Sequence, residues 1–294
     1  MTSPEPIVPI ITCFNRDDTI NYTAVRAQVR RQLDAGNSIL VCDTIGDFTS
    51  MTQAEKVRLC AEVVEEADNR VQIYANVGMP STYQSVLLGR EIAKLGICGV
   101  TVITPFFEKC SQADLVAHYS KVADSLERPV YLYNIPSRST NTIDPETALE
   151  LASHPNILGI KDSGGDEAKL DAYLAIAARR DDFSVYVGGE GLIHTALRQG
   201  AAGCMSDLGN ILPKTLNRIC TSFREGREQE AVKRLSLYCE LGKDLEELGP
   251  KPHVIKQLLY RMNENVGTGR QPAPISTPDL DRKLGAMIEK YALV

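Results

Sequence analysis

The chain has 294 residues, 43% of them hydrophobic, and a formal net charge of −6. That size allows one large domain, such as an α/β barrel, or two smaller ones, and the apolar content suits a full core, while the acidic balance and the lack of any Lys/Arg block argue against nucleic acid as a partner. Residues 1–9 carry no leader pattern and no apolar run is long enough to span a bilayer, so a cytoplasmic location without membrane attachment is expected.

Apolar strand-like runs alternate with amphipathic helical patterns. Residues 7–14 read as a strand, with a helix within 22–35. A second strand, 38–45, precedes a helix from about Thr52, where Thr52 and Glu55 have capping-box spacing. Residues 71–77 form the third strand, and a helix over 82–95 stops at Gly96. The fourth strand is 99–106, with a helix capped near Ser111. The fifth is 129–135, with a helix opening at Asp144-Pro145, a cap followed by proline at the first helical position. The sixth is 157–163, followed by a helix over 166–179. The seventh is 183–189, with a short helix ending at Gly200. The eighth is 201–208, with a helix over 213–224. Thereafter the pattern is wholly helical: 229–248, 252–263, and 278–291 after a Gly/Pro-rich loop.

Such units imply parallel strands joined by right-handed crossovers, and eight of them imply a closed (β/α)8 TIM barrel. An open doubly wound sheet is the alternative, but its first turn would carry a G-x-G-x-x-G that is missing here. The division expected is a barrel over 1–225 carrying the active site, with a C-terminal helical region, 226–294, packed on it. The eight cysteines have no C-x-x-C spacing and the four histidines no ligand spacing, so no metal is expected. Free thiols packed as small hydrophobes suit a reducing compartment.

In such a barrel the active site lies at the C-terminal ends of the strands. Those ends carry Asp43-Thr44-Ile45-Gly46-Asp47, then Tyr133-Asn134-Ile135-Pro136-Ser137-Arg138, Lys161-Asp162-Ser163, Gly188-Gly189-Glu190 and Met205-Ser206-Asp207. A lysine ending a buried strand is costly unless paired or deprotonated. Desolvation lowers an amine's pKa, which makes Lys161 a candidate Schiff-base nucleophile, against the plainer reading of a lysine paired with Asp162. Tyr133, one strand away, is a candidate proton carrier. The neighbours have plainer readings too: Arg138 as a surface ion-pair residue, Glu190 as a carboxylate at a helix N-terminus, Ser163 and Ser206 as small packing residues, Asp47 as a loop carboxylate.

The Thr-x-Gly-acid turn, Tyr-Asn-Ile-Pro-Ser-Arg and Gly-Ile-Lys-Asp-Ser together resemble the dihydrodipicolinate synthase / N-acetylneuraminate lyase family of class I pyruvate aldolases. The resemblance runs from Ile7 into the C-terminal helices. It implies an imine between Lys161 and pyruvate or another 2-keto acid, with no separate cofactor, and proton transfer by Tyr133. It also implies a substrate carboxylate held by the Thr44, Ile45 and Gly46 amides with help from the Thr44 hydroxyl. Met205 and Gly188 are then expected beside Lys161.

Two departures bear on substrate. Ile45 stands where the synthases have a second hydroxyl residue. Phe107 stands where they have a tyrosine that completes a proton relay across a subunit interface, although Arg138, near the pocket entrance, is kept. Ser163, Glu190 and Ser206 stand where sugar-acid lyases place hydroxyl-binding groups. The expectation is an aldolase acting on a 2-keto-3-deoxy sugar acid. The alternative is 4-hydroxy-tetrahydrodipicolinate synthase, and a reading of another class is a non-catalytic barrel with a binding role. The resemblance also implies self-association, as a homotetramer, with Phe106 and Phe107 at a contact.

Overall fold

The computed structural model describes residues 4–274 and 276–293. Eight parallel strands close into a ring in chain order: β1 Glu5–Pro9, β2 Ser38–Val41, β3 Ile73–Asn76, β4 Gly99–Ile103, β5 Val130–Asn134, β6 Ile157–Asp162, β7 Ser184–Val187 and β8 Gly203–Met205, with β8 pairing back to β1. The TIM barrel read from the alternation is therefore the fold. The outer helices are α1 Tyr22–Ala35, α2 Gln53–Ala67, α3 Thr82–Ile92, α4 Gln112–Asp124, a single turn α5 Pro136–Ser139, α6 Pro145–Leu151, α7 Glu167–Ala177, α8 Ile193–Arg198 and α9 Pro213–Arg224. Three more follow as an appendage: α10 Glu228–Glu246, α11 Lys251–Arg261 and α12 Pro278–Tyr291.

Local chemistry sets the helix ends. Thr52 and Glu55 form the expected capping box, and Ser111 forms another with Asp114. Gly36 ends α1 in the left-handed region that glycine enters without a Cβ penalty. Asp144 departs from expectation. Its side chain makes no capping bond to α6 and instead accepts from Lys169 Nζ at 3.0 Å.

Two layers of core result. Apolar strand faces pack outward against the helices, while Ile7, Leu40, Tyr74, Tyr186 and Met205 fill the barrel's interior. At the amino-terminal end of β1 Glu5 accepts from Ser38, Tyr74 and Tyr186, so its carboxylate is satisfied. Several strands are shorter than their apolar runs. Ile11, Cys13 and Phe14 continue β1's hydrophobic run and are buried, yet they have left the ladder, whose last bond on this side is from the Ile10 amide to the Leu40 carbonyl. Burial under loops and helices produces the same apolar signal as a strand. The cysteine sulfurs nearest each other, Cys204 and Cys220, lie 3.6 Å apart, a packing contact rather than a bond. Among the described residues no helix is long and apolar enough to cross a membrane.

Candidate active site

Strand register brings the two principal residues together. Tyr133 on β5 and Lys161 on β6 are direct partners in the ladder, so both side chains leave the sheet on the same face at the same level. Lys161 is 2% exposed, and its Nζ sits 3.8 Å from the centre of the Tyr133 ring. The Tyr133 hydroxyl lies 3.2 Å from Thr44 Oγ1, at the start of a short helical turn, Thr44–Gly46, that follows β2. Burial pushes the Tyr133 phenol up to about 12. The negative charge of Asp43 adds to this, while Lys161 and Thr44 oppose it.

The lysine's partner is not Asp162, which accepts instead from Asn134 and the Gly164 amide. It is Asp43, whose Oδ2 accepts from Lys161 Nζ at 2.8 Å with both side chains almost fully buried. This corrects the lowered pKa expected for Lys161. Burial alone would pull the amine down, but the Asp43 carboxylate and the Tyr133 oxygen outweigh it, and the group stays well above its ordinary value. The resting lysine is an ammonium.

Around this pair lies a cavity of about 230 Å³, room for a small keto acid and a short second reactant. Thr44, Ile45, Arg138, Ser163, Gly188, Glu190 and Met205 line it, as the sequence suggested. A Cβ at Gly188 would meet Ser163 Oγ and could be fitted only by turning that hydroxyl away. Two expected residues are placed differently. The Gly46 amide donates to the Asp43 carbonyl inside its own turn, at 2.9 Å, and Gly46 does not line the cavity. Ser206 sits behind the wall, bonded to the Tyr238 hydroxyl at 2.9 Å and to Glu190 Oε1 at 3.3 Å. Glu190 itself is held at 3.1 Å by Lys251.

Asp43, Asp207 and Lys251 also line the cavity, and the sequence reading gave none of them a role. Asp43 was in view as part of its turn, but nothing in a separation of 118 residues marks it as the lysine's partner. Asp207 is pushed up to about 6, by burial first and then by the Glu190 charge, against the pull of Lys251 and Lys161. Lys251 opens α11 and comes from the appendage, whose docking has no periodic signature. Asp47 is also more than a loop carboxylate: it pairs with the buried Lys256 of α11, which ties the Thr44 turn to that helix.

A parallel barrel with a buried lysine near the end of β6 and a phenol beside it suits a class I aldolase, which holds a carbonyl substrate as an imine on an enzyme amine. Residues 4–291 match the Dihydrodipicolinate synthetase family. The 4-hydroxy-tetrahydrodipicolinate synthase of Stenotrophomonas maltophilia (strain K279a) is 33% identical over 257 residues, 87% of this chain and 86% of that protein. A dihydrodipicolinate synthase structure from Bacillus anthracis superposes with a TM-score of 0.91 at 29% identity, covering 98% of this chain and 99% of that one. The chloride-inhibited synthase of Acinetobacter baumannii, solved with pyruvate, gives 0.92 at 27% identity over the whole of both chains. The chain belongs to the dihydrodipicolinate synthetase family and is a pyruvate-dependent carbon–carbon lyase that works through a lysine Schiff base. These relatives favour the synthase alternative over the sugar-acid reading drawn from Phe107 and Glu190.

Proposed function

We propose that the protein joins pyruvate, held as an imine on Lys161, to an aldehyde that carries its own carboxylate, aspartate semialdehyde, in the manner of a 4-hydroxy-tetrahydrodipicolinate synthase. The observation that carries this reading is the state of the polar groups in the cavity. Glu190 and Ser206, the groups that would bind sugar hydroxyls, are already bonded to Lys251 and Tyr238. Arg138 lines the mouth and, among the described residues, has no carboxylate within ion-pair distance. A guanidinium there suits a substrate carboxylate in a two-point contact.

In this reading Lys161 attacks the keto carbon of pyruvate and water leaves. The imine then loses a methyl proton to become an enamine, whose carbon attacks the aldehyde. The Tyr133 phenol, protonated at neutral pH, is placed to donate to the aldehyde oxygen as it becomes a hydroxyl. Thr44 orients that phenol from 3.2 Å, and in this reading the Thr44 and Ile45 amides receive the pyruvate carboxylate, the Gly46 amide being taken up by the Asp43 carbonyl. The sugar-acid reading keeps one observation in its favour: Tyr133 is the sole phenol on the cavity wall among the described residues, and Phe107 is 88% exposed, away from it. Self-association through that exposed phenyl ring is part of the same proposal.

Two measurements test this. Pyruvate with borohydride should add one reduced pyruvate to the peptide bearing Lys161, and Lys161→Arg should give neither adduct nor turnover, because guanidinium does not deprotonate. The kcat/KM for aspartate semialdehyde should then exceed that for cleavage of a 2-keto-3-deoxy sugar acid. The reverse order would make the sugar-acid lyase the correct reading.

A further inference from the structure

Lys161 rests as an ammonium, and an ammonium has no lone pair to offer a carbonyl. Imine formation therefore needs a base within reach of Nζ, and later an acid for the departing hydroxyl. Tyr133 is poorly suited to the first task, since burial and Asp43 hold its proton. Asp43 Oδ2 is 2.8 Å away. Its other oxygen, Oδ1, is buried and has no hydrogen-bond partner among the described residues, while the side chain lines the cavity. A buried carboxylate oxygen left unbonded is costly, and the fold supports that arrangement. Cys42, just before it, takes a left-handed φ of 58° in the fully buried core, a conformation that strains a residue with a side chain. Asn76 holds the Cys42 carbonyl at 3.2 Å while its own side-chain oxygen accepts from Gly78 and Ile103. The bend is thus fixed from a neighbouring strand, and it delivers Asp43 to the lysine.

We propose that Asp43 is a catalytic residue of this cavity, the carrier that takes a proton from the Lys161 nitrogen and returns it to the hydroxyl that leaves as water. The proposal rests on the reading that pyruvate is bound as an imine on Lys161. The steps balance. The ammonium gives one proton to Asp43, and the freed nitrogen pair forms the bond to the keto carbon while the carbonyl π electrons move to oxygen. That oxygen takes the proton from Asp43 and becomes a hydroxyl. The nitrogen then gives a second proton to Asp43, which passes it to the hydroxyl. The C–O bond breaks, water departs and the nitrogen pair closes the C=N bond. Two protons have left nitrogen in the water, one stays on the iminium, and Asp43 is again a carboxylate, now paired with the iminium charge.

A bare counterion would predict the opposite kinetics. Without Asp43, burial would dominate and the amine would be free at lower pH, so imine formation would quicken. The groups facing Asp43 that complicate a pH profile are Lys161 on β6, Tyr133 on β5 and Asp207 after β8.

The experiment is a quenched time course of borohydride trapping by the full chain with pyruvate, across neutral and alkaline pH. In Asp43→Asn the rate of Lys161 adduct formation should fall ~10²-fold or more at every pH, with the final yield retained. Asp43→Ala should be equally slow and be accelerated by added formate, which restores a mobile carboxylate even if the asparagine variant folds poorly. An unchanged or faster rate in Asp43→Asn, or no response of Asp43→Ala to formate, overturns the proposal. Absence of a Lys161 adduct in the wild type would instead remove the underlying reading, and the proposal with it.

Discussion

At the scale of the residue, the cavity works by holding unlike charges out of water at short range. Tyr133 keeps its proton because burial and Asp43 both disfavour the phenolate. Its removal should therefore cost an acid rather than a fold contact. Tyr133→Phe should lower kcat by ~10²- to 10⁴-fold while the pyruvate adduct on Lys161 still forms, as single-turnover trapping would show. Asp207 gives a stability signature. Its carboxyl titrates near 6 in the folded chain and near ~3.9 unfolded, so the folded state binds that proton more tightly. Stability from this group is present below the unfolded value and is lost as pH rises through about 6, a change of about 3 kcal/mol. Asp207→Asn should accordingly gain on the wild type between acid and neutral pH in urea unfolding, and parallel curves would contradict this. Lys161 and Tyr133 were legible in the sequence because a strand end marks its own residues. The Asp43 partner was not, because pairing across the barrel mouth depends on closure, which no local pattern encodes.

Among the elements, the strand–helix alternation carried the ring of eight strands almost whole, since each unit announces itself by a change of period. Strand lengths were less legible. Loop residues such as Ile11 and Phe14 are as buried as any strand residue. The role of α11 was illegible for another reason: an amphipathic helix shows which face it buries, not where it lands. In the structure it contacts the Thr44–Gly46 turn, and Lys256, 1% exposed, pairs there with Asp47. Breaking one partner of a buried ion pair leaves the other charge uncompensated, at a cost of about 3–5 kcal/mol. Lys256→Met should show that loss in denaturant unfolding. It should also raise KM for pyruvate more than a Lys→Met change at an exposed site such as Lys283, because the turn proposed to receive the carboxylate loses its anchor.

For the whole molecule, a closed ring has no free sheet edge, so association must use helices and loops. Phe107 is the most exposed large apolar residue among the described residues and holds a φ of 83°, a conformation costly for a side chain of its size. If this ring seats in a second copy, Phe107→Asp should shift sedimentation toward smaller species at micromolar concentration. An unchanged profile would move the contact elsewhere. The same geometry has a consequence in time. Synthesis runs from the amino end, and all eight strands have been made once Met205 is added. Yet one wall of the cavity, with Lys251, belongs to α11. A nascent chain can hold the entire ring outside the ribosome and still present its ammonium to an unfinished vessel. The cavity is complete only once the closing helices arrive, late in the chain's own making.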